Sequence, residues 1–305
     1  MIRSMEKGAP DLKRRKTDVT GTAGETEKLG NSTWQTVPTR TISAGGVDFA
    51  YRELGSGGTP VVFLTHLAAI LDNWDPRVID GVAASRRVIT FDNRGIGAST
   101  GKTPATVAEM AEDAVTFIRA LGLEEVDLIG FSLGGMVAQA VVEKHPGLVR
   151  RLILAGTSPA GGTGLDKVAR LTFYDIFRGA FTRQDPKQFM FFPRSSAGKR
   201  AGKAFLARLG ERKVDRDKEI SVPSFMAQLK AIKRWGKQPA ADLSVVRQPV
   251  LVINGDADRI VPSQNTEELG RRLPDCEVVL YPQSGHGAIF QFHEDFVRRA
   301  VRFLS

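Results

Sequence analysis

The feature of the sequence that most constrains its fold is a series of short apolar runs rich in Val, Ile and Leu. They cover residues 61–66, 87–92, 126–131, 151–156, 249–255 and 276–282. Short, almost continuously hydrophobic runs are typical of strands that are buried on both faces. Stretches with helical spacing lie between them, as in residues 103–123, where apolar side chains recur on one helical face. This alternation predicts an α/β fold, with a doubly wound, mostly parallel sheet covered by helices.

The N-terminal part of the chain lacks this pattern. Residues 1–36 contain few large apolar side chains and show no periodicity, which predicts a flexible N-terminal tail. Two short strand-like runs then follow, joined at Gly45 and Gly46, and they predict a β-hairpin. We therefore expect the folded domain to begin at residue 37.

A second interruption lies between the strands predicted to end near residue 156 and to begin near residue 249. It has no convincing strand, but three stretches within it have helical apolar spacing. An interval of this length inside a domain is more often an ordered insertion than a structureless loop. We predict a core built from residues 37–159 and 241–305, with residues 160–240 inserted as a helical lid.

The net charge of +9 is concentrated in that insertion, which contains 18 Lys and Arg against 7 Asp and Glu. Basic proteins often bind nucleic acid, but residues 160–240 lack aromatic side chains at the spacing of an RNA- or DNA-binding module. The charge is therefore interpreted as a solvated helical surface, with anionic substrates or partners as the alternative. We expect no nucleic-acid partner.

Cysteine content and hydropathy bear on the compartment. The single cysteine, Cys276, excludes an intramolecular disulfide and a Cys/His zinc pattern. The basic N-terminus is not followed by the apolar segment of a signal peptide, and no run reaches the ~18 apolar residues of a membrane span. These observations predict a cytoplasmic protein with no membrane span, and they leave the oligomeric state open.

The strongest local motif is Gly-Phe-Ser-Leu-Gly-Gly at residues 130–135, between the apolar run VDLI and a helix-like segment. A serine on a tight strand-to-helix turn projects at the carboxyl end of the sheet, and flanking glycines allow the close backbone approach. The amide of Leu133, at the start of the helix, is placed to stabilise an oxyanion. The motif indicates Ser132 as a nucleophile, the alternative being a glycine-rich turn with an incidental serine.

A serine hydroxyl is a weak nucleophile that needs a base within reach. Of the four histidines, His66 ends a strand, His145 precedes a proline, and His293 falls in the final amphipathic stretch. His286 lies in QSGHGAI, a glycine-flanked loop after the last apolar run, from which an imidazole can reach over the sheet edge. We predict His286 as the general base.

The carboxylate that orients the histidine is expected on a loop after a strand, and two aspartates, Asp256 and Asp258, follow the run PVLVING. The segment GDADRIVP resembles the acid loop of lipases, esterases, enol-lactonases and cofactor-free haloperoxidases, which belong to the α/β-hydrolase fold family. In that pattern the acid is the second aspartate. The resemblance therefore implies Asp258, with Asp256 as a turn former, and the chain order of serine, aspartate and histidine is that of the family.

The resemblance covers residues 40–305 and is specific for the fold and the three residues, not for a substrate. FDNRGIGAST, residues 91–100, resembles the loop after the fourth strand of these families, where Asp92 and Arg94 hold a turn. A serine in the nucleophile position argues against the haloalkane dehalogenases and epoxide hydrolases of this fold, which use an aspartate.

One departure from the family concerns the loop after the third strand. Relatives have His-Gly followed by an apolar residue, whereas this chain has His66, Leu67 and Ala68. By position, the second oxyanion amide comes from Ala68, and Leu67 is the alternative.

These residues predict a serine hydrolase that cleaves carboxylic esters or related small-molecule acyl substrates through an acyl-enzyme. The chemistry requires no metal and no organic cofactor. Lactone opening or acyl transfer to peroxide would use the same residues. A hydrolase-fold ligand-binding receptor with little turnover is the alternative from another class.

Overall fold

The computed structural model describes residues 32–305, in which eight strands form one sheet. The strands are β1 Arg40–Ala44, β2 Val47–Leu54, β3 Val61–Leu64, β4 Val88–Phe91, β5 Val126–Phe131, β6 Val149–Ala155, β7 Val250–Gly255 and β8 Cys276–Tyr281. Their order across the sheet is β1-β2-β4-β3-β5-β6-β7-β8. Strand β2 is antiparallel to β1 and β4, and all other neighbours are parallel.

The predicted fold class is confirmed: each of the six apolar runs forms a strand, and Gly45 and Gly46 join β1 to β2. Every residue of β3, β4, β5 and β7 is buried, as expected for strands covered on both faces. The edge strand β8 instead has exposed residues, including Val278 and Leu280. All parallel strands point their carboxyl ends to the same edge of the sheet, where loops can bring distant residues together.

Helices cover both faces of the sheet. They are α1 Pro76–Ala83, α2 Val107–Ala120, α3 Leu133–Lys144, α4 Val168–Thr182, α5 Lys187–Phe191, α6 Ser196–Leu209, α7 Val222–Trp235, α8 Gln264–Arg272, α9 Ala288–Gln291 and α10 His293–Leu304. Alternate residues of the buried strands enter different hydrophobic clusters. In β3, Val62 shares a cluster with α2 and α3, and Phe63 shares one with α1 and α10. The period of two in a strand therefore gives the sheet two apolar faces.

The segment between β6 and β7 is helical. The three stretches predicted to be helices correspond to α4, α6 and α7, and the short helix α5 was not predicted. Largely buried arginine side chains connect the segment to the core through an ion pair and hydrogen bonds. Arg208 of α6 holds the Asp75 carboxylate through three donor contacts of 2.6–3.0 Å, while Arg212 donates to the carbonyl oxygens of Trp34 and Val37.

The predicted N-terminal tail, residues 1–36, lies largely outside the described residues. Its last residues belong to the fold, because the Trp34 side chain is buried and its backbone N–H donates to Asp80 at 2.7 Å. The Arg52 guanidinium lies 5.1 Å from the centre of the Trp34 ring. Residues just before the boundary predicted at residue 37 therefore already contact the core. An isolated tryptophan gives no periodic pattern, and its partners are distant in sequence.

Candidate active site

Ser132 occupies the turn between β5 and α3. Its backbone is in an unusual conformation for a non-glycine residue, with φ 56° and ψ −115°, and such strain persists only where the surroundings enforce it. The surroundings here are tight: a Cβ on Gly134 would overlap the Leu64 carbonyl, and one on Gly130 would press on the backbone of Gly134 and Gly135. The glycines around Ser132 are therefore required by close backbone packing.

The structure brings Ser132, His286 and Asp258 together from three separate loops. His286 Nε2 lies 2.9 Å from Ser132 Oγ, and His286 Nδ1 lies 2.7 Å from Asp258 Oδ2. All three residues are buried. Asp258 Oδ1 also accepts the N–H groups of Ile260 and Val261 at 2.8 and 3.0 Å, which fixes the carboxylate against the imidazole. With the aspartate accepting from Nδ1–H, Nε2 is free to accept the proton of the serine hydroxyl.

The second aspartate of the loop has a different environment. Asp256 is exposed, and its Oδ1 accepts the Ser284 N–H at 3.3 Å. This contact joins the loop after β7 to the loop after β8. The turn-forming role expected for Asp256 stays a prediction.

Two backbone amides were predicted to face the reacting carbonyl. Leu133 is the first residue of α3, so its N–H has no intrahelical acceptor and lies at the positive end of the helix dipole. Ala68 adopts φ 60°, a left-handed conformation that costs a non-glycine residue roughly 1–2 kcal/mol. Its N–H donates at 2.8 Å to Oε1 of Gln228, a fully buried residue of α7.

Sequence reasoning did not identify Gln228. It lies within an amphipathic helix, 160 positions after Ala68, and a polar residue at one buried position of such a helix gives no local motif. Only the fold brings it to the loop after β3.

His66 is the second histidine near this site. Burial lowers its pKa to about 3, so the ring is neutral at ordinary pH. Its Nδ1 lies 2.8 Å from the Leu67 carbonyl oxygen, which places the proton on Nδ1. The ring packs edge-on against Phe131 and Phe191, with centres 5.3 and 5.1 Å apart. These contacts fix the ring at the end of β3, in agreement with its assignment as a strand-end residue.

A cavity of about 180 Å³ opens beside Ala68 and is lined by the loop after β3 and by the helical segment. Its other lining residues are His66, Leu67, Thr172, Ile176, Asp185, Pro186, Lys187, Met190, Phe191 and Phe225. The lining is mostly apolar, as is usual for a small-molecule site. Phe191 also packs on His286, with ring centres 5.8 Å apart, so this ring lies between the cavity and the histidine. Ser132, His286 and Asp258 do not themselves line the cavity.

Of the six phenylalanines between residues 173 and 192, only Phe191 lines this cavity. Phe177 and Phe181 are 75% and 84% exposed, and Phe173 packs on Phe225. Phe189 and Phe192 instead line a larger cavity of about 620 Å³ between α4, α5 and α6, which includes none of the three clustered residues.

The loop of residues 91–100 forms a buried turn. Asp92 accepts the N–H groups of Leu71 and Ala98 at 3.0 and 3.3 Å, and Arg94 pairs with Asp113. Burial, together with the neighbouring Asp217 carboxylate, holds the pKa of Asp92 well above its usual value. These contacts agree with the structural role expected for the loop.

Two further findings concern the region 32–305. It contains no group of three or more His, Cys, Asp or Glu side chains placed to hold a metal ion. Among its helices, none is both long and apolar enough to cross a membrane.

Comparisons with known proteins agree with this architecture. A family model described as alpha/beta hydrolase fold matches residues 59–292. A putative carbamate hydrolase of Caulobacter sp. (strain K31) is 27% identical over 274 residues, covering 87% of this chain and 98% of its own. A putative non-heme bromoperoxidase of Mycobacterium tuberculosis (strain ATCC 25618 / H37Rv) is 25% identical, with 85% and 98% covered.

Among solved structures, an alpha/beta hydrolase fold protein from Chitinophaga pinensis is 37% identical, with a TM-score of 0.85 over 90% of this chain and 99% of its own. The enol-lactonase from Burkholderia xenovorans LB400 shares the fold at 18% identity, with a TM-score of 0.70 and 87% and 99% covered.

Proposed function

The chain belongs to the alpha/beta hydrolase fold family, and we propose that it is a serine hydrolase acting on carboxylic esters or related acyl compounds. The observation that carries this proposal is the buried chain of contacts from Asp258 through His286 to Ser132, at 2.7 and 2.9 Å, ending at a strained strand-to-helix turn. Nucleophile, base and orienting group in hydrogen-bond contact are the arrangement that activates a serine.

In the first half of the reaction, Ser132 Oγ attacks the carbonyl carbon while its proton passes to His286 Nε2. The carbonyl oxygen becomes an oxyanion, which the N–H of Leu133 stabilises at the positive end of α3. Collapse of this intermediate breaks the bond to the leaving group, and His286 returns the proton to it. The product is an acyl ester of Ser132.

In the second half, water attacks the acyl-enzyme and gives its proton to His286. The acid is released and Ser132 is regenerated. Asp258 stays ionised throughout, because its role is to hold the imidazole tautomer and to stabilise the imidazolium. Ala68 is the proposed second oxyanion donor, provided that its N–H is released from Gln228.

The helical segment is proposed to act as a lid. Support comes from the cavity beside Ala68, since α4, α5 and α7 contribute lining residues together with the loop after β3. A cavity of about 180 Å³ favours a short acyl group. Lactones and carbamates, named for relatives above, present the same carbonyl to the same residues and belong in the substrate panel.

The proposal is tested by labelling with a fluorophosphonate and by turnover of short and long nitrophenyl esters, a lactone and a carbamate. Ser132→Ala is expected to lose at least about a thousandfold in kcat and all labelling, while keeping the melting temperature close to that of the wild type. The exposed Lys230→Met is the control and should retain both ester turnover and labelling. Substantial turnover in Ser132→Ala would refute the assignment of the nucleophile.

A further inference from the structure

Gln228 is an unusual side chain for its position. It lies on α7 between Phe225, which lines the cavity beside Ala68, and the buried Leu229 and Ile232, and it is itself fully buried. Its Oε1 accepts the Ala68 N–H at 2.8 Å. Its Nε2 is also buried and has no hydrogen-bond partner among the residues that the structure describes.

Fold stability alone does not explain a glutamine at this position. A buried amide group without a partner is costly, and ordering a flexible glutamine side chain adds an entropic cost. An apolar side chain of similar length would pay a similar entropic cost on the same helix but would bury no unpaired amide. Departures of this kind from local rules are expected where a residue serves function.

The chemistry of the contact indicates what that function is. A carboxamide oxygen is an sp² carbonyl oxygen, the same kind of acceptor that an ester offers to an oxyanion amide. Ala68 N–H has one proton to donate, and its family position makes it the proposed second oxyanion donor. A substrate carbonyl and Gln228 Oε1 therefore compete for one hydrogen bond.

We propose that Gln228 occupies the oxyanion position in the resting protein and that the substrate carbonyl displaces it on binding. This inference rests on the proposed function through the role given to Ala68. Displacement adds the loss of one hydrogen bond to the cost of substrate binding. It also makes α7, and with it Phe225 in the cavity wall, respond to occupancy of the site.

According to this proposal, Gln228 makes the KM of the wild-type protein higher than it would be without the competing acceptor, and it has little effect on kcat. A group that competes with the bound substrate weakens binding of the carbonyl, and after displacement the donors facing the oxyanion are the same. The net value of one neutral hydrogen bond corresponds to about a two- to tenfold change in apparent affinity.

Two substitutions at Gln228 are expected to act in opposite directions. Gln228→Met keeps the length of the side chain and removes the competing acceptor, so KM for nitrophenyl acetate should fall about two- to tenfold, and inactivation by a fluorophosphonate should accelerate. Gln228→Glu keeps an acceptor oxygen and strengthens it by charge, so KM should rise and inactivation should slow. The matched control is Lys230→Met, which places methionine on the exposed face of the same helix and should behave like the wild type.

The outcomes separate three roles for the residue. If Gln228 were only a packing residue, both variants would lose melting temperature and neither would bind substrate more tightly. If its Nε2 donated to the oxyanion, kcat would fall in both variants with KM little changed. Either result would overturn the proposal.

Gln228→Asn provides a second test if the methionine variant does not fold. Its shorter side chain withdraws the oxygen from Ala68, so it should share the lowered KM, and an unchanged or raised KM in a folded Gln228→Asn protein would refute the displacement. Failure of the proposed function has a different signature, namely a wild-type protein that is not labelled at Ser132 or an active Ser132→Ala.

Discussion

The sheet and the inserted helical segment place their residues in the site by different physical means. Ser132, Asp258 and His286 follow β5, β7 and β8, and parallel backbone pairing brings the ends of those strands to one edge. Gln228 and Phe191 lie on helices whose positions depend on side-chain contacts with the core. Backbone hydrogen bonds therefore determine the positions of Ser132, Asp258 and His286, while side-chain contacts determine the position of the helical segment.

Ionic contacts hold the segment to the core, together with apolar side chains that are buried in both core clusters. Arg208 pairs with Asp75, and Arg212 and Arg216 approach Asp72, in each case across more than 130 positions of sequence. Part of the basic excess of residues 160–240 is therefore neutralised against the core. The expectation of a solvated basic surface is too simple for Arg212, which is only 2% exposed. The expected absence of a nucleic-acid partner stays a prediction.

The largest expected effect lies on the sheet side of this comparison, in the loop that carries Asp256 and Asp258. Asp258→Asn should reduce kcat by about 10⁴-fold, because an amide donates to the imidazole and enforces the wrong tautomer. Asp256→Asn, an exposed matched control two positions away, should change kcat less than about threefold. Steady-state ester hydrolysis by the two folded variants measures both effects. A larger loss in Asp256→Asn would show that Asp256, and not Asp258, is the acid.

The two aspartates also show how far the sequence predicts this molecule. The strands, the hairpin and the serine turn follow from local patterns, since strand burial and tight turns are set by neighbouring residues. Asp258 required the family resemblance, because spacing left Asp256 equally eligible. Trp34, the short helix α5 and Gln228 were missed, since their roles arise from contacts between residues far apart in the chain.

The attachment of the helical segment to the core can be weakened by removing one ion pair. Arg208→Met should lower the free energy of unfolding by about 3 kcal/mol, because the fully buried Asp75 carboxylate loses its partner. Arg200→Met, on the exposed face of the same helix, should change it by less than about 0.5 kcal/mol. Urea denaturation of both variants gives the comparison.

A second variant separates the unpaired charge from lost packing. Asp75→Asn combined with Arg208→Met removes the uncompensated charge and keeps a side-chain acceptor at the start of α1, where Asp75 accepts the Arg77 N–H. The double variant should recover part of the lost stability. If the double variant were no more stable than the single Arg208→Met, packing of the arginine and not charge pairing would anchor the segment.

The smallest expected effect concerns what the segment contributes to substrate choice. Phe191 lines the cavity beside Ala68 and is buried, whereas Phe177, on the neighbouring helix α4, is 75% exposed. Phe191→Leu should enlarge the cavity and shift the ratio of kcat/KM for longer over shorter nitrophenyl esters by up to about tenfold. Using the ratio cancels any general loss that the contact of Phe191 with His286 produces, and Phe177→Leu should leave it unchanged. An equal shift in both variants, or none in Phe191→Leu, would mean that the core alone selects the acyl group and that the segment is not a substrate lid.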